Sequence, residues 1–158
     1  MKFEIVENLK EAGFEGFIPV KDLRNKHRII PSVPGVYMVV RTSEAEPSFL
    51  ETGTGGFFKD KNPNVSLEKL KRKWIKNTCV VYIGKASLSQ KRLKQYLDFG
   101  AGKPVGHYGG RFIWQLADAE DLLFCWKAVP ENPEKVETEL IKDFKNQYGE
   151  RPFANLRD

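Results

Sequence analysis

The sequence predicts an α+β fold in which a small, mainly antiparallel, three-stranded sheet is flanked by helices. Three short runs of β-branched and aromatic residues indicate the strands, at 36–41, 79–84 and 122–129. Amphipathic segments lie between and after these runs, which favours layers of helix and sheet around a hydrophobic core. The chain has 158 residues, of which 41% are hydrophobic, so a folded domain is expected rather than a disordered segment.

The beginning of the chain predicts an addition to this core. Residues 3–12 predict a short helix that ends at Gly13, and residues 14–33 contain several glycines and prolines. Such punctuation is typical of an irregular lead-in segment. We therefore expect an N-terminal extension, residues 1–33, that packs on a core domain formed by residues 34–158.

Residues 42–77 look inserted between the first two strands. Residues 42–64 are polar and rich in glycine and proline, which predicts a long loop. Residues 66–76 predict a basic helix with Ser66 as its N-cap. Long loops in compact domains are frequently functional, so we expect residues 42–64 to border a substrate cleft.

Two longer helices are predicted in the second half of the chain. The helix after the second strand begins with Ser87 and Gln90 in the pattern of a capping box, and Gly100 suits its end. The last helix begins after Asn132 as N-cap and closes at Gly149.

Composition excludes several classes of protein. No apolar stretch is long enough to span a membrane, and no apolar signal core follows the first residues, so we expect a cytoplasmic location. Cys79 and Cys125 lie in apolar runs, which predicts buried, reduced thiols. The two cysteines and two histidines have no close spacing, which excludes a zinc finger.

The charge of the chain is unevenly distributed. The net charge is +5, but residues 79–116 alone carry +5 and residues 117–158 carry −4. This asymmetry indicates a positive face suited to an anionic partner such as nucleic acid. A basic surface that serves only solubility is the alternative.

Two charged residues fall on apolar helix faces. On a helical wheel, Glu137 lies in the middle of the apolar stripe of the last helix. On the wheel of the preceding long helix, Arg92 lies at an angle between those of Tyr96 and Phe99. Burying a charge is costly unless it is paired, hydrogen-bonded or bound to metal. One interpretation is a structural salt bridge, or a Glu137 that reaches solvent. The other is a site where Arg92 holds an anion and Glu137 a metal ion.

The ordered motifs resemble those of the GIY-YIG nuclease family. Gly35-Val36-Tyr37 corresponds to the first signature triplet, and Tyr82-Ile83-Gly84 corresponds to the second. Arg92 lies ten residues after Tyr82, where the family carries its helical arginine. Glu137 matches the glutamate that binds metal on the late helix of the family.

The end of the chain strengthens this resemblance. Residues 151–155, Arg-Pro-Phe-Ala-Asn, match the closing motif of the excision-repair branch. The resemblance thus covers residues 34–155. The chain departs from the family in the spacing of Tyr37 and Tyr82, which are 45 positions apart, and it shows no appended DNA-binding domain. A protein partner for targeting therefore stays open, and the sequence does not indicate an oligomeric state.

The resemblance implies divalent-metal-dependent hydrolysis of phosphodiester bonds in nucleic acid, with DNA as the expected substrate. One Mg²⁺ or Mn²⁺ ion would be held by Glu137, and Arg92 would hold the scissile phosphate. Tyr37 would assist the attacking water, Tyr82 would position water or phosphate, and His107 would shuttle protons.

Further residues complete the predicted site. Lys85, Arg111 and Lys73 are expected to contact the substrate backbone, with Lys85 directly following the second triplet. Gly35, Gly84 and Asn155 are expected to support the site structurally. Two alternatives remain, a catalytically silent nucleic-acid-binding module of the same fold and a non-nuclease binding protein.

Overall fold

The computed structural model describes residues 1–26, 29–105 and 108–157. These residues form an α+β fold with a four-stranded antiparallel sheet of order β1-β4-β2-β3. The strands are β1 Glu15–Pro19, β2 Gly35–Val40, β3 Val80–Ala86 and β4 Leu123–Ala128. The helices are α1 Val6–Glu11, α2 Val20–Leu23, α3 Leu67–Lys73, α4 Ser89–Gly100 and α5 Pro133–Tyr148.

The prediction of three strands was wrong, because the N-terminal extension supplies a fourth. β1 pairs with β4 at one edge of the sheet, and β3 forms the other edge. Gly16 and Phe17 have positive φ angles of 100° and 57°, and the register of β1 shifts between Gly16 and Ile18. Glycine and proline are tolerated in an edge strand at a bulge, yet in a sequence they predict a loop.

Side-chain alternation gives the sheet two different faces. The scaffold face packs against α1 and α5 and carries Val36, Met38, Val40, Ile83 and Cys125. The tyrosine face packs against α2, α4 and a 3₁₀ segment, Tyr108–Gln115, and carries Tyr37, Val39, Tyr82, Phe124 and Trp126. The helices α4 and α5 therefore lie on opposite sides of the sheet.

Both cysteines belong to the scaffold face. Cys79 and Cys125 are free thiols and buried, as predicted. Burial raises the pKa of the Cys79 thiol to about 12 and also raises the pKa of Cys125. None of the helices in the described residues is both long and apolar enough to cross a membrane.

The two long helices begin differently from the prediction. Gly149 ends α5 with a left-handed φ of 77°, as expected, but Asn132 makes no side-chain cap hydrogen bond. In α4 the N-cap position belongs to Leu88, so the predicted Ser87–Gln90 capping box does not form. The Gln90 amide instead donates to the carbonyl of Ile30 at 3.3 Å, which ties the lead-in segment to α4.

The inserted segment is fixed by one buried glutamine. The Gln115 amide donates to the carbonyls of Leu50 and Val65, at 3.1 and 3.0 Å, and its oxygen accepts the Val65 N–H at 2.9 Å. The predicted N-cap forms, since Ser66 Oγ accepts the N–H of Lys69 at 3.2 Å. The inserted segment therefore packs on the 3₁₀ segment that contains Gln115.

Candidate functional site

Tyr37 and Tyr82 lie side by side on the tyrosine face. Their ring centroids are 5.9 Å apart, and Tyr37 also stacks on Phe124 at 5.1 Å. Tyr37 is 2% exposed and Tyr82 is 8% exposed. Gly84 lies opposite Tyr37 in the ladder, and a Cβ atom there would lie 2.4 Å from the Tyr37 ring. Only glycine at position 84 lets this ring lie across β3.

Arg92 joins the two tyrosines into one hydrogen-bonded cluster. Its guanidinium group hydrogen-bonds to both tyrosine hydroxyls, and its Nη1 donates to Gln95 Oε1 at 3.1 Å. The bond between the hydroxyls raises the pKa of Tyr37 and lowers that of Tyr82, as expected when Tyr37 donates and Tyr82 accepts. The guanidinium is therefore held on the tyrosines before any ligand binds.

Burial dominates the acidity of both hydroxyls. It raises the pKa of Tyr37 well above its ordinary value and raises the pKa of Tyr82 as well. The positive charge of Arg92 opposes this effect in both residues. The two tyrosines consequently differ, because Tyr37 is more deeply buried and holds its proton in the bond to Tyr82.

Glu137 lies on α5, the helix that packs on the scaffold face of the sheet. It is half-buried, and burial raises the pKa of its carboxyl, whereas the charges of Lys85 and Arg92 lower it. The negative charge of Glu137 in turn raises the pKa of Tyr82. The carboxylate is therefore within electrostatic range of Arg92 and Tyr82.

An open groove of about 500 Å³ meets the cluster at Arg92, whereas Tyr37, Tyr82 and Glu137 do not line it. Its walls are the β3–α4 junction, the first turns of α4 and the start of α5. Three cations, Lys85, Lys91 and Arg92, line it together with one anion, Glu134, which pairs with Lys85 at 3.2 Å. A larger depression of about 720 Å³ lies beside α1, but none of the predicted site residues lines it.

Asn155 supports the strand that carries Tyr82. Its Oδ1 accepts the N–H of Ile83 at 2.9 Å, and its Nδ2 donates to the carbonyl of Ile83 at 2.8 Å. The N–H of Ala154 donates to the carbonyl of Val81 at 2.9 Å. The tail thus hydrogen-bonds to the outer edge of β3. It holds the strand at Val81 and Ile83, on either side of Tyr82.

Gly35 has a comparable structural position. A Cβ atom at Gly35 would lie 2.5 Å from the carbonyl oxygen of Lys127, in the neighbouring strand β4. A side chain would therefore push β2 away from β4 at the start of the strand that carries Tyr37. Gly35, like Gly84, acts through the backbone geometry around the tyrosines.

Three predicted site residues are not brought into the cluster. His107 lies outside the described residues. The Arg111 guanidinium lies 5.2 Å from the ring centroid of Phe112, on the 3₁₀ segment. Lys73 is the last residue of α3 and is half-buried within the inserted segment. None of the three lines the groove among the described residues.

The position expected for residues 42–64 was wrong with respect to this groove. None of them lines it, and the N–H of Gly56 instead donates to the carbonyl of Phe99 at 2.9 Å, near the end of α4. The groove lies at the opposite end of that helix. The physical reason is the anchor at Gln115, which holds the inserted segment on the 3₁₀ segment.

Two residues that line the groove, Gln95 and Glu134, were not predicted from the sequence. Gln95 holds Arg92, and Glu134 holds Lys85. Each lies three residues from a predicted site residue on the same helix, Gln95 after Arg92 and Glu134 before Glu137. The i, i+3 spacing, which brings side chains together on one helix face, was the signal that could have identified them.

Glu137 is the residue near the cluster that could hold a divalent ion. Among the described residues, no group of three or more His, Cys, Asp or Glu side chains could hold a metal ion by itself. Mg²⁺ is commonly bound through one or two carboxylates, with water and substrate phosphate oxygens as its other ligands. Glu137, with Glu134 one turn away on α5, fits such an open site.

Comparison with known proteins does not identify a function for the chain. No family model matches the chain, and no curated protein and no solved structure matches it significantly. The likeness to GIY-YIG nucleases therefore rests on the residues themselves. The function has to be argued from the cluster and the groove.

Proposed function

We propose that the protein is a metal-dependent nuclease that hydrolyses phosphodiester bonds of DNA at this cluster, in the manner of GIY-YIG nucleases. One observation carries the proposal. Two tyrosine hydroxyls and a guanidinium group are hydrogen-bonded together, and the half-buried Glu137 carboxylate lies within electrostatic range of them. The guanidinium group also lines a groove together with two lysines. Phosphodiester hydrolysis needs these groups, namely an anion clamp, a base for water and a carboxylate for the ion.

Arg92 is the proposed phosphate clamp. A planar guanidinium group donates to two phosphate oxygens at once, which a lysine does not do. Its bonds to the tyrosines and to Gln95 fix its position before substrate arrives, so little ordering is needed on binding. Lys85 and Lys91, which also line the groove, attract the neighbouring phosphates without regard to base sequence.

The burial pattern favours Tyr82 over Tyr37 as the base for the attacking water. Tyr37 is almost wholly inaccessible, and burial and the hydrogen bond to Tyr82 both raise its pKa, so its phenolate form is hard to reach. Tyr82 accepts that hydrogen bond and one from Arg92, and both interactions favour its ionised form. Tyr37 then orients Tyr82, which revises the roles that the resemblance implied.

A divalent ion completes the proposed site. Glu137 would hold it, and Glu134 is near enough along α5 to assist. A bound Mg²⁺ or Mn²⁺ supplies a Lewis acid that neutralises charge at the phosphate. Burial raises the pKa of the Glu137 carboxyl, and the charge of Lys85 opposes this rise.

The test is nicking of supercoiled plasmid in Mg²⁺, with DNA binding measured separately in chelator. Arg92→Lys and Glu137→Gln should each slow nicking about 100-fold or more, since each removes a group that stabilises transition-state charge. Arg72→Lys on α3 and Glu139→Gln on α5 are matched controls, because both residues are exposed and neither lines the groove.

The outcomes separate the three functions. Nicking that is lost in the two site variants and kept in the two controls supports the nuclease. Binding without nicking in the wild type would favour the silent binding module, and neither activity would favour a non-nuclease binding protein. Site variants that nick at the wild-type rate would contradict the proposed roles.

A further inference from the structure

Exposed hydrophobic residues occur at the start of α4 and in the segment that hydrogen-bonds to it. Six large hydrophobic residues are exposed in the described part of the chain. Three of them, Leu88, Val33 and Ile29, with 48%, 39% and 51% exposed surface, come from the β3–α4 junction and the segment just before β2. Single exposed apolar residues are ordinary, but a group of them is typical of a contact surface.

Hydrogen bonds hold these two segments together. The N–H and the Oγ of Ser89 both donate to the carbonyl of Val33, at 3.3 and 2.8 Å. One residue further, the amide of Gln90 donates to the carbonyl of Ile30. Leu88 and Val33 are therefore fixed as neighbours by the first turn of α4. We call Leu88, Val33 and Ile29 the apolar rim.

The apolar rim meets the groove at Leu88. Leu88 lines the groove together with Lys91 and Arg92, which follow it by three and four residues. At this spacing the three side chains lie on one face of α4. The surface thus changes within one helical turn from aliphatic groups to cations.

This juxtaposition matches the chemistry of one nucleotide that has left its stack. A nucleotide carries an anionic phosphate at one end and a flat, largely apolar base face at the other. In an uninterrupted duplex the base faces are covered by their neighbours. An aliphatic side chain gains from contact with a base only where that base is unstacked.

We propose that the apolar rim receives an unstacked base beside the phosphate held by Arg92, so that the preferred substrate is DNA with a locally unpaired nucleotide, such as a bulge. This inference rests on the proposed function, because it takes the groove as the phosphate site. A protein partner is the less suitable occupant. Three aliphatic residues bordered by cations are far fewer than the roughly 20 residues a side of a stable interface.

Two labelled DNAs of the same sequence test the inference, one fully paired and one with a single bulged 2-aminopurine. Affinity is measured in chelator, cleavage in Mg²⁺, and unstacking from the 2-aminopurine fluorescence. The wild type should prefer the bulged DNA about tenfold or more, the gain expected from burying one aliphatic side chain. The double variant Leu88→Ser/Val33→Ser should bring the ratio between the two DNAs close to one.

Ile5→Ser is the matched control, because Ile5 is 53% exposed and lies beside α1, away from the groove. It should keep the wild-type ratio. The double variant should fold, since both replaced side chains are exposed and serine is a favoured residue at the N-cap position of Leu88. Thermal melts verify this point.

The remaining outcomes contradict either the binding of an unstacked base alone or the proposed nuclease function as well. Equal treatment of both DNAs by the wild type, or an unchanged ratio in the double variant, overturns this inference and leaves the nuclease proposal standing. Binding and cleavage of neither DNA overturns both. Lost self-association of the double variant with an unchanged DNA ratio would assign the apolar rim to protein contact and also overturn the inference.

Discussion

The scaffold face and the tyrosine face are built from the same strands but carry different chemistry. Alternate residues of β2 point to opposite sides, so Met38 packs among aliphatic and thiol groups while Tyr37 joins a hydrogen-bonded cluster. The scaffold face buries mainly aliphatic, aromatic and thiol groups that pack against α1 and α5. The tyrosine face buries hydroxyls beside a guanidinium group, which is costly unless the hydrogen bonds are kept. Substitutions on the two faces should therefore separate stability from activity.

The largest effect is expected on the tyrosine face, at Tyr82. Tyr82→Phe should lower the rate of nicking by about 10²–10⁴, the usual contribution of a positioned acid or base. Tyr37→Phe should cost much less, because its hydroxyl acts through Tyr82. Single-turnover nicking in Mg²⁺, with thermal melts as the folding control, measures both. Equal losses in the two variants would refute the division of roles between the tyrosines.

On the scaffold face the expected loss is in stability alone. Met38 is fully buried, and Met38→Ala should lower the free energy of unfolding by about 2–5 kcal/mol through lost burial and a residual cavity. The rate of nicking per folded molecule should stay at the wild-type value. Denaturant unfolding and single-turnover nicking check the two halves of this prediction. A matching fall in rate would show that the two faces are not separable.

Asn155 lies between these extremes, because it supports the strand that carries residues of both faces. Asn155→Ala leaves the N–H and carbonyl of Ile83 without their side-chain partner and should cost about 1–3 kcal/mol of unfolding free energy. Nicking should also slow, since β3 positions Tyr82. Asn146→Ala on α5 is the control, because Asn146 is exposed. If Asn155→Ala were as neutral as its control, the tail would not support the strand.

The smallest effect on stability is expected from Glu137→Gln. Burial raises the pKa of the Glu137 carboxyl, so the ionised form costs stability that the protonated form does not. The apo variant should equal or exceed the wild type, and its advantage should grow as the pH rises from the ordinary glutamate pKa through the raised value. Thermal melts across this pH window measure it.

The same melts with added Mg²⁺ test the metal site. An ion that binds only the folded state raises the melting temperature of the wild type, and the variant should lose this gain. A large loss of apo stability in Glu137→Gln, with no Mg²⁺ effect in the wild type, would instead identify Glu137 as a structural partner of Arg92. Breaking such a buried pair costs about 3–5 kcal/mol.

The elements that could be predicted from the sequence are those in which apolar residues follow a regular pattern. β2, β3 and β4 were predicted because apolar runs mark them, and Arg92 and Glu137 stood out as charges among apolar neighbours. β1 was missed because its bulge uses residues that ordinarily end strands. β1 forms by pairing with β4, which is distant in the sequence, so no local periodic pattern marks it.

Most residues of the candidate site could be predicted from the sequence, but their contacts and relative burial could not. Glu134 and Gln95 are ordinary polar helix residues, and only their i, i+3 spacing from Glu137 and Arg92 marks them in the sequence. Their roles follow from their contacts with Lys85 and Arg92. Gln115 is different, because a glutamine within the apolar run 112–116 was a visible signal of a buried polar anchor. The roles of Tyr37 and Tyr82 depend on their relative burial, which a sequence of two similar strands does not encode locally.

The pairing of the tail with β3 also affects how the protein behaves at high concentration. A strand at the edge of a sheet presents free N–H and carbonyl groups, which can recruit a strand from another molecule. Ala154 and Asn155 occupy the groups of Val81 and Ile83 that would serve this purpose on β3. The segment that steadies the tyrosine strand is therefore also a barrier to edge-to-edge aggregation.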